Sequence, residues 1–424
     1  MAEILLHGKK VRRVLPMPHA PKSRTEWAER KIEELLSLPF IAEFVFRSPK
    51  KLDTTEKEVA DLLLVHKGEG VLVSQKMQEE RGSRTEHKNE LWVRKNAKAA
   101  ASQLLGAIRS ANKQPVWCDH PRLGRVTFSE GLPTLRHGIV IVETWTPVDL
   151  QVNELDLALT YEGVPITYMS VNDFVNLAFQ LRTVPELFAF LDARRNLPIP
   201  CLRVVGDEKC LLEMYLLQGG TLAGCIGHSD AKLVVASRHA ELSEILRKKA
   251  EYDASASYME YVADALATRH PDALSGLPPV LLAAFDPSQS RTRYLAMQEV
   301  ISDLKLRERA EIGLALLNTS KNLSSETQGM NFCSIHFDTQ DRVWVLAASK
   351  NIDRTTLLTR MNALTHGAMA FYQKQSGMFI LDRDGVSFEV GLSRPGYQPS
   401  ENEREYGMKM FGNLRVSDTL YGII

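Results

Sequence analysis

Apolar positions along this chain follow two periods, and the switches between them predict its elements. Behind a candidate N-cap at Thr25, the run Glu26, Glu29, Ile32, Glu33, Leu35 and Leu36 has helical spacing and ends near Pro39. Ile41 to Phe46 then reads as a strand, broken by Ser48-Pro49. Val59 to Val65 predicts a second strand, and Gly68-Glu69-Gly70 turns the chain into a third, Val71 to Gln78. Glu79 to Asn89 reads as a charged loop. Asn96 to Ala111, rich in Ala, Leu, Gln and Lys, predicts a helix, and Ile139 to Thr144 is apolar enough for a buried strand. The order is helix, three strands, helix, strand.

Beyond Val148 the pattern changes. Thr160 to Tyr168 contains a strand with a turn at Gly163; Ser170 caps a helix over Val171 to Leu181, and Thr183 caps another over Pro185 to Ala193. Leu202 to Val205 and Ala231 to Val235 suggest strands, Glu241 to Lys249 a helix, and residues 255–278 a helix until Pro271. Thr292 to Asn318 is the longest helical pattern. The last third alternates again: strands at Phe332 to Phe337 and Val343 to Ala347, a helix over Thr355 to Lys374, and a hairpin from Met378 to Leu392 around Asp384-Gly385. The fold class is mixed α/β. The divisions are a basic arm (1–24), a first domain (25–146), a mixed helical and strand domain (147–285) and a C-terminal α/β domain (286–424), which could sense a partner or oligomerise.

The composition of the 424 residues is that of an ordinary folded chain. No apolar run approaches the ~20 residues that cross a bilayer, and the N-terminus lacks the apolar stretch of a secretory signal. The five cysteines are scattered and show no Cys-x-x-Cys spacing, which points to a reducing compartment, the cytoplasm. Lys+Arg and Asp+Glu both number 52, but the balance is uneven. Residues 1–115 carry 22 basic and 15 acidic side chains, a surplus of +7 that the rest of the chain cancels. From Arg81 to Lys113 eight basic residues face two acids. Arg81, Arg84, Lys88, Arg94, Lys95 and Lys98 form the expected phosphate-binding surface.

The chemistry centres on two strands. Asp61 stands in the apolar run Val59 to Val65, where a carboxylate is costly unless paired. On the following strand Ser74, Lys76 and Gln78 share one face and Gln75 the other. Antiparallel pairing brings Lys76 beside Asp61. An acid that holds a divalent ion, next to a lysine that orients water, meets the needs of phosphodiester hydrolysis. The simpler alternative is a strand-edge ion pair.

In this order of elements, and in Asp61 followed by Ser74-Gln75-Lys76, residues 25–146 resemble the PD-(D/E)XK, or restriction-endonuclease-like, nuclease superfamily. The resemblance implies an α-β-β-β-α-β core with Asp61 as metal-binding acid, Lys76 as catalytic lysine and Glu29 or Glu33 as the helix acid. Gln103 would be the glutamine that the family's second helix often carries near the site. It further implies Mg²⁺ or Mn²⁺ as cofactor, a nucleic acid as substrate (DNA before RNA), a role in prokaryotic antiphage defence or DNA processing, and a homo-oligomer. One position departs from the pattern: Ser74 stands where the family has Glu or Asp. The Gln75 carbonyl, Glu58 or a helix acid could complete the metal site; otherwise the domain binds nucleic acid or protein without catalysis.

Other clusters fit ordinary structure better. Cys201, Cys210, Cys225 and His228 lack compact zinc spacing, the glycines from 219 to 227 lack a P-loop ending, Asp382 to Gly385 is an incomplete calcium loop, and Ser334, His336 and Asp338 have no nucleophile partner. Arg194-Arg195 would hold the carbonyls of the preceding helix end.

Overall fold

The computed structural model describes residues 38–52, 57–79, 85–111, 114–120, 124–129, 132–145, 148, 150–204, 208–225, 227–269, 296–323, 328–383, 387–393 and 396–411, with 2–6, 9–13, 27–28 and 31–32. The fold is mixed α/β, as the periodicities predict. It divides into two compact units, one mainly residues 12–248 and the other mainly 249–424. Strands β1 (Ala2–Leu6) and β2 (Lys9–Arg13) pair as a two-stranded sheet inside the stretch expected to be a basic arm.

The first unit is built on eight strands: β3 (Val45–Lys51), β4 (Leu62–His66), β5 (Glu69–Met77), β6 (Val116–His120), β7 (Gly124–Phe128), β8 (Thr134–Glu143), β9 (Thr160–Tyr161) and β10 (Val164–Met169). Their order across the sheet is β7-β6-β3-β4-β5-β8-β10-β9. β3, β4 and β5 form an antiparallel meander, whereas β5, β8 and β10 run parallel. The change of direction follows from the connections. β4 and β5 are joined by Lys67 and Gly68, both at positive φ, the geometry that matches strand twist in a two-residue hairpin. β5 reaches β8 through helix α1 (Glu86–Ala111) and the β6–β7 hairpin, and a crossover of that length permits a parallel return.

Helix α1 starts ten residues earlier than expected, because Asn89 is buried and joins the apolar stripe Val93, Ala97, Ala100, Leu104 and Ile108. Gly138 on β8 lies beneath that stripe: a Cβ there would crowd Leu104 and Ile166. Helices α2 (Val171–Leu181) and α3 (Val184–Arg194) start where Ser170 and Thr183 accept backbone N–H groups from Asp173 and Glu186 at 3.1 and 3.2 Å. The strand expected at Ile41 to Phe46 begins as a helical turn, Pro39–Ala42, since Pro39 suits the first helical position.

Two further expectations give way to packing. Ala231 to Val235 is helical, within α5 (His228–Ser237), which packs on α4 (Glu208–Leu217) and finds no strand to pair with. Of the strand expected at Leu202 to Val205, the described residues supply an isolated bridge at Arg203. The longest described helix is α6 (His239–Arg269), while the pattern at 292–318 breaks at 303–305 before α7 (Leu306–Asn322).

In the second unit β11 (Gly329–His336), β12 (Arg342–Lys350), β13 (Ser376–Arg383) and β14 (Ser387–Leu392) lie in sequence order, with only β12 and β13 parallel. Helix α8 (Arg354–Tyr372) makes that crossover and packs on α9 (Glu401–Phe411). Asp382 is no calcium ligand in an open loop: it is buried in β13 and accepts hydrogen bonds from Tyr258 and Ser320 at 3.1 and 2.7 Å. Ser334 meets the Tyr372 hydroxyl at 3.0 Å instead of forming a relay.

Candidate active site

The β4–β5 pairing ends with Leu62 opposite Val73, and Asp61 lies in a bend just ahead of β4, so the strand expected over Val59 to Val65 begins only at Leu62. The Asp61 N–H donates to the Val73 carbonyl at 3.0 Å, and the Lys76 charge acts on its carboxylate. Ser74 and Lys76, two apart on β5, share a face. It is the face that α1 covers, because Lys76 Nζ donates to Gln103 Oε1 at 3.2 Å.

The Asp61 carboxylate also does local structural service. The Gln75 N–H lies beyond the last ladder bond of β4, and Asp61 Oδ2 accepts it at 2.7 Å. Burial raises the Asp61 pKa above the ordinary carboxylate value. The Gln75 hydrogen bond opposes that rise, Glu58 adds to it by like-charge repulsion, and Lys76 and Ser74 oppose it. The buried Ser74 hydroxyl lies near Asp61 without forming a well-aligned hydrogen bond. Gln75 enters through its backbone only, since strand alternation turns its side chain to the opposite face.

Glu58 is exposed, and its backbone forms an isolated antiparallel bridge with Lys50 just ahead of β4. It is the acid closest in influence to Asp61. Glu29 and Glu33, the expected helix acids, lie outside the described residues, as do Arg81 and Arg84. Among the described residues no group of three His, Cys, Asp or Glu side chains converges. Asp61 and Glu58 still offer hard oxygen donors, and Mg²⁺ is commonly held by one or two carboxylates with water and substrate phosphate completing its shell.

Gln78 is buried and serves as a brace. Its Nε2 donates to Asn89 Oδ1 at 3.2 Å, and its Oε1 accepts the Trp145 N–H at 3.2 Å. Glu143, beside Met77 on β8, falls on the face away from Lys76, where it accepts the Val171 N–H at 2.9 Å. Neither brace was marked by a motif; each depends on partners 11 to 67 residues away.

The helix separates the expected basic surface into parts. At about 100° per residue, Trp92, Asn96 and Gln103 share the flank toward Lys76. Arg94, Lys98 and Arg109 share the other flank. There Arg94 donates to the Glu154 carbonyl at 2.9 Å, Lys98 pairs with Asp156 at 3.3 Å and Arg109 with Glu162 at 3.0 Å. Lys88 and Lys95 project from the outer, exposed face.

A second polar cluster sits at the opposite end of β5 and β8. Arg136 bridges Glu69 and Asp192, and the fully buried His137 meets Asp192 at 3.0 Å through Nε2. Burial lowers the His137 pKa, and the Asp192 contact opposes that shift. Arg194 does not cap the end of α3; it lies buried in a fork-to-fork pair with Glu208, its Nε 2.8 Å from Oε1 and 3.0 Å from Oε2.

Compared with protein-family models, curated proteins and solved structures, the chain matches none of them. No helix among the described residues is long and apolar enough to cross a membrane.

Proposed function

We propose that the first unit is a metal-dependent nuclease that hydrolyses DNA phosphodiesters. The observation that carries this reading is the Asp61 carboxylate just ahead of β4 within electrostatic reach of Lys76 on β5, with Lys76 steadied by Gln103. The meander β3-β4-β5, the helical crossover and the parallel return to β8 support it, because this is the core order implied by the PD-(D/E)XK resemblance.

Asp61 and Glu58 would hold Mg²⁺ or Mn²⁺, which supplies neutralisation of charge on the scissile phosphate. Burial keeps Asp61 short of solvent and concentrates its field. Lys76 presents an ammonium that donates to Gln103 through one proton and has two others for water or a phosphate oxygen. Of the six residues expected to form the phosphate-binding surface, Lys88 and Lys95 project from the exposed face of α1 toward solvent, where they would meet the phosphate backbone. A place in antiphage defence or DNA processing, and a homo-oligomer that cuts both strands, belong to the same proposal.

A second reading has its own support. Asp61 and Lys76 each have a structural partner, in Gln75 and Gln103, and Ser74 replaces the usual acid. On that reading the unit binds nucleic acid or protein without cutting.

Cleavage assays separate the two. Plasmid, linear and single-stranded DNA, and RNA, are incubated with the protein in Mg²⁺, Mn²⁺ or EDTA, and again with Lys76→Ala and Asp61→Ala. The nuclease reading expects metal-dependent cleavage that both substitutions abolish. Cleavage that survives both would refute this site, and binding without cleavage in every arm would establish the second reading.

A further inference from the structure

Two of the five cysteines meet in the first unit. Cys201 ends a 3-10 turn (Ile199–Cys201), and Cys225 lies in the loop ahead of α5. Their Sγ atoms are 3.1 Å apart, and both side chains are buried. Non-bonded carbon atoms settle about 3.5–4.0 Å apart, and sulfur is larger. The pair is thus closer than simple packing would leave it. It is also closer than two thiolates sharing zinc, which at bonds of about 2.3 Å in a tetrahedron sit about 3.8 Å from one another. Among the described residues no third His, Cys, Asp or Glu joins them.

The loop between the two cysteines gives the contact a purpose. Gly219, Gly220 and Gly224 all take positive φ, and a segment so rich in glycine has much conformational freedom to lose. Apart from α4, little regular structure holds its described residues.

We infer that Cys201 and Cys225 are a disulfide-forming pair, closed by a small-molecule disulfide, that fastens the glycine loop to the turn at Ile199–Cys201. Cys225, at 5% exposure against 0% for Cys201, is the sulfur an oxidant reaches first. With oxidised glutathione, Cys225 Sγ attacks the reagent, its S–S bond breaks and one glutathione leaves reduced. Cys201 Sγ then attacks the mixed disulfide at Cys225 and expels the second glutathione. Two protein thiols are oxidised, one external disulfide is reduced, and the two protons end on the released thiols. Burial pushes the Cys201 thiol up to about 12, so the second displacement speeds up with pH. The inference is independent of the nuclease reading.

The test uses the full chain, reduced, then exposed to oxidised glutathione, alkylated in denaturant and mapped by mass spectrometry. The free thiol count should fall by two of the five in the sequence, with Cys201 and Cys225 in one linked peptide. Cys225→Ser should lose no thiol to an internal link, and a matching near-ultraviolet circular dichroism spectrum establishes that it is folded. Reduced thiols that persist under full oxidation of the folded wild type would overturn the inference. So would a link through Cys118, Cys210 or Cys333, or co-purified zinc released by alkylating Cys201 and Cys225.

Discussion

Replacing Asp61 by asparagine sets the carboxylate's chemical value against its structural one. Asparagine keeps an oxygen where Oδ2 accepts the Gln75 N–H at 2.7 Å. A hydrogen bond to a charged group contributes about 1.5–3 kcal/mol and a neutral one about 0.5–1.5 kcal/mol, so that exchange alone costs roughly 1 kcal/mol. Against it stands burial, the largest influence on Asp61, reinforced by Glu58; together they outweigh Gln75, Lys76 and Ser74 and raise the pKa. The net environment disfavours the charge, hydrogen bond included. Asp61→Asn should therefore stabilise the first unit at neutral pH, by up to about 1 kcal/mol on the scale of one hydrogen bond.

The sign carries into pH. With the folded pKa above the unfolded one, the folded state keeps its proton longer, and the penalty is absent below about pH 3.9. It develops as pH rises from there toward the folded value and is complete above it. Urea titrations followed by tryptophan fluorescence should show the variant and wild type converging in acid and separating toward neutrality. Mg²⁺ at a hundred times its dissociation constant should add about 2.7 kcal/mol to the wild type and nothing to the variant. A variant destabilised by more than about 1 kcal/mol at neutral pH would refute the reasoning. Asp61 would then be a strand cap.

Arg194→Met should destabilise the first unit by about 3–5 kcal/mol in urea, because it removes the cation paired with the buried Glu208 carboxylate, whereas Arg194→Met with Glu208→Met should recover most of that loss. Gly407→Ala should cost about 1–3 kcal/mol in the second unit by thermal melting, since its new methyl would run into the Gly367 backbone on α8. His137, with its pKa lowered chiefly by burial, contributes stability that is complete above about pH 6.5 and is lost as pH falls through its folded value. His137→Asn should flatten that part of the stability profile, which denaturant titrations across the range would reveal.

Local rules carried much of the first unit. The strand from Val71, the hairpin ahead of it and the caps at Ser170 and Thr183 depend on residues within a few positions and are present, whereas the strand expected from Val59 begins at Leu62 and the turn sits at Lys67-Gly68. That Asp61 comes within electrostatic reach of Lys76 also followed from the expected pairing of the two strands. Ala231 to Val235 shows the limit: its apolar run is compatible with either period, and contact with α4 decided for the helix.

Net charge offered a basic surface but could not apportion it. Whether Lys98 meets a phosphate or Asp156 depends on which flank of α1 faces the segment at 154–162, a matter of helix rotation on the sheet. Sequence by itself determined the α/β class, the caps and the chemical types on β4 and β5. Tertiary structure alone decided which charges are spent on one another, as with Arg194 and Glu208, and which sulfurs touch, as with Cys201 and Cys225. The reason is reach: periodicity and capping act over three to four residues, whereas ion pairs and thiol contacts are made by residues that only the packed chain brings together.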